Sequence, residues 1–187
     1  MKKLYLIFAL AMSMAASAET PPGWMVAGSA PSEYEFGTDT SATDGSKSAF
    51  IKGKAEAKDT GFGTLMQMIA ADDYRGGRWK LTARIRTDDA VRAQMWMRVD
   101  GPDRKANGFD NMGDRPVSGD TEWKTYEIVL DVPSDSVAIA FGFFLQGRGQ
   151  VWADDFKLER VPMTTPVTSP AVGRSQPRSP VNADFNQ

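Results

Sequence analysis

Between residues 91 and 100 the chain alternates strictly. Val91, Ala93, Met95, Met97 and Val99 are apolar, while Arg92, Gln94, Trp96, Arg98 and Asp100 are polar or amphipathic. A period of two sends successive side chains to opposite faces of a strand, so one face is buried and the other meets solvent. The pattern recurs at Tyr126, Ile128, Leu130 and Val132, and again at Val137, Ile139, Phe141, Phe143 and Leu145. Helical periodicity is nearly absent. Strand candidates cover residues 24–27, 34–38, 48–54, 63–70, 79–87, 91–100, 106–112, 123–132, 137–146 and 150–160. Many short strands separated by turn residues predict an all-β sandwich or barrel.

Two turns follow from the same reading. Gly147-Arg148-Gly149 closes a tight hairpin between the last two strands, because glycine supplies positive φ. Residues 79–87 and 91–100 are expected to form a hairpin around Asp88-Asp89. If Ile85 pairs with Ala93 there, Arg86 faces Arg92, Arg84 faces Gln94 and Thr82 faces Trp96. Like charges directly opposite are unfavourable. Two facing arginines therefore call either for acids from a neighbouring strand, with Glu127 and Asp131 at hand, or for an anionic ligand.

Outside this core the chain changes character. Lys2 and Lys3 precede an apolar run over residues 4–15 and the small-x-small sequence Ala16-Ser17-Ala18, so residues 1–18 read as a signal peptide. The apolar run is too short to span a bilayer in the usual way, and no later stretch is long and apolar enough. The expectation is an exported protein, periplasmic or extracellular, with no transmembrane segment in the mature chain. It contains no cysteine and so no disulfide. Residues 19–161 form the folded domain. Residues 162–180 carry five prolines among Ser and Thr and read as an extended, unstructured linker. Residues 181–187 end the chain.

Histidine is absent as well. Without His or Cys, Ser-His-Asp and Cys-His catalysis are excluded, as is zinc held by nitrogen or sulfur. Removing residues 1–18 takes two lysines and no acid, leaving 20 basic and 24 acidic residues. That balance argues against nucleic acid, whose binders carry a basic surplus. Glycoside hydrolysis needs two carboxylates at a set separation, and nothing singles out a pair among Asp110, Asp114, Glu127 and Asp131. The expectation is a protein that is not an enzyme. Met95 and Met97 are expected core fillers.

Four segments resemble the galactose-binding-like jelly rolls in order. Gly45-Ser46-Lys47-Ser48-Ala49 is similar to their "G-x-x-S-a" strand, and residues 74–83 to their "y-r-G-k-x-y-x-l-S-a" entry. Glu122-Trp123-Lys124-Thr125-Tyr126 resembles their "x-W-x-x-y" step, and residues 149–158 their closing "G-x-v-w-i-D-D-v-x-l" strand. The resemblance spans most of residues 45–160. It implies a two-sheet antiparallel β-sandwich of jelly-roll type, a fold shared by bacterial carbohydrate-binding modules. Similar chains are also often labelled transcriptional regulators, which an exported chain without a helix-turn-helix pattern does little to support. Such domains commonly open with an "n-x-d-F-E" strand. None precedes Pro21-Pro22-Gly23-Trp24, whereas Asn182-Ala183-Asp184-Phe185-Asn186 resembles it. The C-terminal segment is then either an added edge strand or a disordered terminus.

The candidate site is the outward face around Trp96. Trp96 is a sugar platform, with Arg84, Arg92, Gln94 and Arg98 as polar contacts and Phe144 widening the aromatic surface. The alternative is an ordinary solvated face on a structural or protein-interaction domain of the cell envelope. The partner is accordingly a glycan or an envelope protein. The resemblance also implies a structural calcium near the closing strand, with Asp155 as a ligand. Against it, Asp and Asn are ordinary turn residues.

Overall fold

A computed structural model of the chain describes residues 20–40, 46–103 and 105–169. The expected signal peptide over 1–18 and the C-terminal segment expected over 181–187 lie outside the described residues, as does the expected linker from 170 onward.

Among the described residues there are nine strands. They are β1 (Met25–Gly28), β2 (Tyr34–Asp39), β3 (Ser48–Gly53), β4 (Phe62–Ala70), β5 (Gly77–Asp100), β6 (Ala106–Asp110), β7 (Val117–Val132), β8 (Ala138–Gln146) and β9 (Gln150–Val161). The one helical element among the described residues is a single 3-10 turn at Pro31–Glu33. All strand pairings are antiparallel.

The expected hairpin around Asp88-Asp89 does not form. β5 runs unbroken for 24 residues. A two-residue hairpin needs positive φ at one or both central positions, which Gly and Asn supply most readily. Here Asp89 alone has it, at 46°, and the β5–β7 register shifts on both sides of this point. One extra residue bulges and bends a strand without reversing it. The bend is fixed from outside. Asp120 accepts from the Asp89 N–H at 2.7 Å, and the Arg148 carbonyl from Val91 N–H at 3.1 Å. The glycine hairpin between β8 and β9 does form, and it packs on the bend. A Cβ at Gly149 would sit 2.3 Å from the Asp89 carbonyl oxygen, so only glycine fits.

The bend makes β5 a member of two sheets. Its first half pairs with β7 and β9, giving a first sheet in the order β7-β5-β9-β3-β2. Its second half pairs with β6 and β8, giving a second sheet in the order β6-β5-β8-β4-β1. The inward residues of both halves meet in one core. Leu81, Ala83 and Ile85 come from the first half, and Ala93, Met95, Met97 and Val99 from the second, all essentially without exposed surface. Met95 and Met97 are core fillers as expected. The structure is thus an all-β, two-sheet antiparallel sandwich.

The start of the expected free linker is held. Thr168 N–H donates to the Val129 carbonyl at 3.0 Å, and Val129 N–H donates to Thr168 Oγ1 at 2.9 Å. Arg78 donates to the carbonyls of Met163 and Thr165. Residues 162–169 are irregular, yet they lie along β7 because it is the outer strand of its sheet and its backbone groups need partners.

Candidate ligand-binding groove

The second sheet turns its outer face toward a cavity of about 510 Å³. Its register brings the lining together. On β5 the outward residues are Arg92, Gln94, Trp96 and Arg98. They lie opposite Gln146, Phe144, Gly142 and Ala140 of β8. β4 then adds Phe62, Thr64 and Met66, opposite Gln146, Phe144 and Gly142. On the other side of β5, Phe109 of β6 lies opposite Arg98, and Asn111 follows it.

Trp96 occupies this face differently from the expected free-standing platform. It is only 9% exposed. Its Nε1 donates to Thr64 Oγ1 at 3.0 Å, and Thr64 in turn donates to the Phe143 carbonyl at 2.7 Å. Thr64 is on β4, two strands away, so the indole crosses β8. It can do so because its direct neighbour there, Gly142, has no side chain. Ala140, Phe144, Phe62 and Met66 pack around it. Trp96 is therefore the floor of the groove, and the expectation of an exposed Trp face is corrected to a concave one. Phe144 lies on the same face but is only 8% exposed, so it too belongs to the groove floor and does not widen an exposed aromatic surface as expected.

The polar residues form a chain of hydrogen bonds. Arg92 Nε donates to Gln94 Oε1 at 2.7 Å, and Arg92 Nη2 to the Gly113 carbonyl at 2.9 Å. Gln94 Nε2 donates to the Asn111 carbonyl at 2.7 Å. Gln94 is 1% exposed and so acts chiefly as the brace between Arg92 and the loop. Arg98 closes the other end with a two-pronged contact to Asp100, at 2.7 and 3.0 Å.

The carbonyls of Asn111 and Gly113 are themselves positioned by Asp110. This buried carboxylate accepts from Met112 N–H at 2.7 Å and from Arg115 Nη2 at 2.6 Å. Met112 takes φ 54°, which turns the loop. Burial pushes the Asp110 carboxyl up, but hydrogen bonds from Arg115, Thr168 and Met112 N–H outweigh it and hold it below the usual carboxylate range.

Four of the expected site residues, Arg92, Gln94, Trp96 and Arg98, thus line one cavity. Arg84 is separated from them. It lies before the bend, on the first sheet, with its guanidinium 5.2 Å from the Trp123 ring centre and 3.8 Å from Asp155. Arg86 and Arg92 do not face each other either. Arg86 pairs with Trp152 of β9, and its guanidinium lies 5.5 Å from that ring. Asp131, expected beside them, binds Arg78 at 2.7 and 2.9 Å instead. The corrections to Arg84 and Arg86 share one cause, the bend that replaces the hairpin, whereas that to Asp131 follows from the β5–β7 register, which sets Asp131 opposite Arg78.

Asp155 is exposed, with φ 56° and its N–H donating to Asp154 Oδ1 at 2.8 Å. Among the described residues no three His, Cys, Asp or Glu side chains come together as a metal group. None of the acids weighed for hydrolysis lines the groove. Asp110 and Asp114 are both held by Arg115. The sequence reading missed Phe109, Asn111, Gln146 and Thr64. The alternation of Ala106–Asp110 was the available signal for Phe109, but nothing local ties that strand to the Trp96 face.

No protein-family profile matches the chain. It is 39% identical over 168 residues to a protein of Bacillus subtilis (strain 168) named "Uncharacterized HTH-type transcriptional regulator YbfP". The match covers 88% of this chain, and the chain spans 57% of that relative's length. Among solved structures, the CBM22-1 xylan-binding domain of Paenibacillus barcinonensis Xyn10C is similar, with a TM-score of 0.53 and 12% identity. That match covers 78% of this chain and 91% of that one. TmCBM61 in complex with β-1,4-galactotriose is similar with a TM-score of 0.50 and 17% identity, over 77% and 92% of the two chains. The enzymatically active domain of bacteriophage CBA120 tailspike protein 4 reaches a TM-score of 0.59 at 14% identity, over 75% of this chain and 20% of that one. At these identities the likeness is one of fold. The chain has the jelly-roll sandwich of carbohydrate-binding modules.

Proposed function

We propose that the domain binds a carbohydrate in the groove of its second sheet and performs no catalysis. One observation carries the reading. A concave, partly aromatic surface made by Trp96, Phe144 and Phe109 meets planar polar groups from Arg92, Asn111 and Gln146. Sugar rings offer apolar faces to aromatic side chains and a rim of hydroxyls to planar donors and acceptors. The same fold in a xylan-binding domain and in a module held in complex with β-1,4-galactotriose supports the reading. Phe109 is 37% exposed and is the aromatic contact offered to a ligand from the rim. In the same reading the place of action is outside the cytoplasmic membrane. N-terminal sequencing of protein recovered from a secreting host tests this, with cleavage after Ala18 expected and an intact leader against it.

The test is calorimetric titration of the full chain with xylan, galactan and polygalacturonate oligosaccharides. Phe109→Ala should weaken binding of whichever is bound roughly tenfold, equivalent to about 1.4 kcal/mol, without changing the melting temperature. No binding of any of the three at millimolar concentration, or equal affinity in the variant, would refute the reading.

The Bacillus relative favours a second reading, in which such a domain senses the same kind of ligand within a regulator. Among the described residues there is no helix to form a helix-turn-helix. Over the described residues the second reading therefore concerns a sensing part. Protein retained in the cytoplasm, with glycan binding intact, is the result that favours it.

A further inference from the structure

We infer that the groove selects acidic sugars, with Arg92 holding a carboxylate of a uronate-containing glycan. This rests on the carbohydrate-binding reading above and deepens it.

The charge distribution carries the inference. The chain as a whole has slightly more acids than bases, 24 against 22. The cavity reverses that balance, for its lining includes two guanidinium groups, Arg92 and Arg98, and no carboxylate. The two are not equivalent. Arg98 is matched by the two-pronged contact with Asp100, a carboxylate largely shielded from solvent. Arg92 makes its hydrogen bonds to neutral acceptors, the Gln94 amide oxygen and the Gly113 carbonyl. Among the described residues, Arg92 is paired with no carboxylate.

Those neutral partners also orient it. They engage Nε and Nη2, which fixes the plane of the guanidinium, and among the described residues Nη1 has no acceptor. Gln94, braced in turn on the Asn111 carbonyl, prevents the side chain from swinging out. A fixed, half-buried cation with unspent donors is what a carboxylate-bearing ligand needs, because the ordering cost has been met in the fold. A wholly neutral sugar would leave that charge uncompensated beneath it. Phe144 lies opposite Gln94, the next outward residue along β5 from Arg92, so a sugar ring over that part of the floor would set its carboxylate toward Arg92.

The experiment compares oligogalacturonate with β-1,4-galacto-oligosaccharide of equal length on the full chain, by calorimetry at about 50 and 200 mM salt. Oligogalacturonate is expected to bind at least tenfold tighter at low salt, with the preference shrinking as salt rises. Arg92→Gln should bring the ratio of the two affinities close to one. Arg92→Lys, which keeps the charge but loses the braced fork, should retain part of it. Sulfated galactan of the same length separates carboxylate from general anion recognition, and it is expected to gain less than the uronate. Binding of the neutral oligosaccharide as tightly as the uronate would overturn this inference and leave the carbohydrate-binding reading standing. A preference that survives Arg92→Gln, or that favours sulfate over carboxylate, would also overturn it. Failure of every oligosaccharide to bind would overturn both.

Discussion

Replacing Asp110 by Asn should loosen the groove's loop and the protein together. The carboxylate is buried and accepts from Arg115 Nη2 at 2.6 Å and Met112 N–H at 2.7 Å, with Thr168 as a further donor. In the variant the amide oxygen can keep the Met112 bond, but as a neutral acceptor. The amide nitrogen must then face a guanidinium, donor against donor. A hydrogen bond to a charged group is worth about 1.5–3 kcal/mol and a neutral one about 0.5–1.5. Losing the first and weakening the second would cost roughly 4 kcal/mol at most. The Arg115 side chain is 34% exposed, so water recovers part of its loss. A cost of about 2–3 kcal/mol follows, which for a domain of this size lowers the melting temperature by roughly 5–10 °C. The pH dependence has a definite sign. Asp110 titrates below its ordinary value of about 3.9, so its contribution is fully present above that value. It is lost as pH falls through the lower, folded-state value. Differential scanning calorimetry of wild type and Asp110→Asn should show a constant gap from about pH 8 to 5 that closes below about pH 4. A gap under about 0.5 kcal/mol at pH 7 would refute the reasoning, since that is the range of ordinary surface substitutions. So would a gap that persists undiminished at pH 2.

Two further changes probe other parts of the argument. Gly142→Ala places a Cβ 2.1 Å from the Leu65 carbonyl oxygen and 2.9 Å from the Met66 Cα, so β4 and β8 must part. Urea unfolding should show a loss of about 2 kcal/mol or more, and an unchanged midpoint would mean the strands have room that the structure denies. Thr168→Val removes the hydroxyl that accepts from Val129 N–H and supports Asp110, at a cost of about 1–2 kcal/mol. Thermal melting checks it, and no change would show that residues 162–169 do not dock on β7.

Much of the architecture was legible residue by residue. The strands at Tyr34–Asp39, Phe62–Ala70, Ala138–Gln146 and Gln150–Val161 begin and end within two residues of where alternation and turn residues place them. The inward set of β5 was legible for the same reason, because the choice of face is written in every second residue. That alternation also put Arg92, Gln94, Trp96 and Arg98 on one outward face. The same alternation runs through Arg84, so sequence alone sets it on an outward face with nothing to part it from them. Period-two reasoning assigns a face within a strand but is blind to a bend that carries the strand into another sheet.

The rest was decided by the tertiary structure. Asp88-Asp89 has the composition of a turn, and whether it reverses the chain or bends it depends on partners far away. Those partners are Asp120 on β7 and the Arg148–Gly149 turn between β8 and β9. Trp96 alternates as a solvent-facing residue. It is nearly buried because β8 offers a glycine beneath it and β4 offers Thr64 as an acceptor, two facts of register between strands more than 30 residues apart. Local sequence determined which side chains leave each strand on which face. Long-range pairing decided which of those faces meet, because a cross-strand neighbour is set by hydrogen-bond register between distant segments and leaves no mark on the residues beside it.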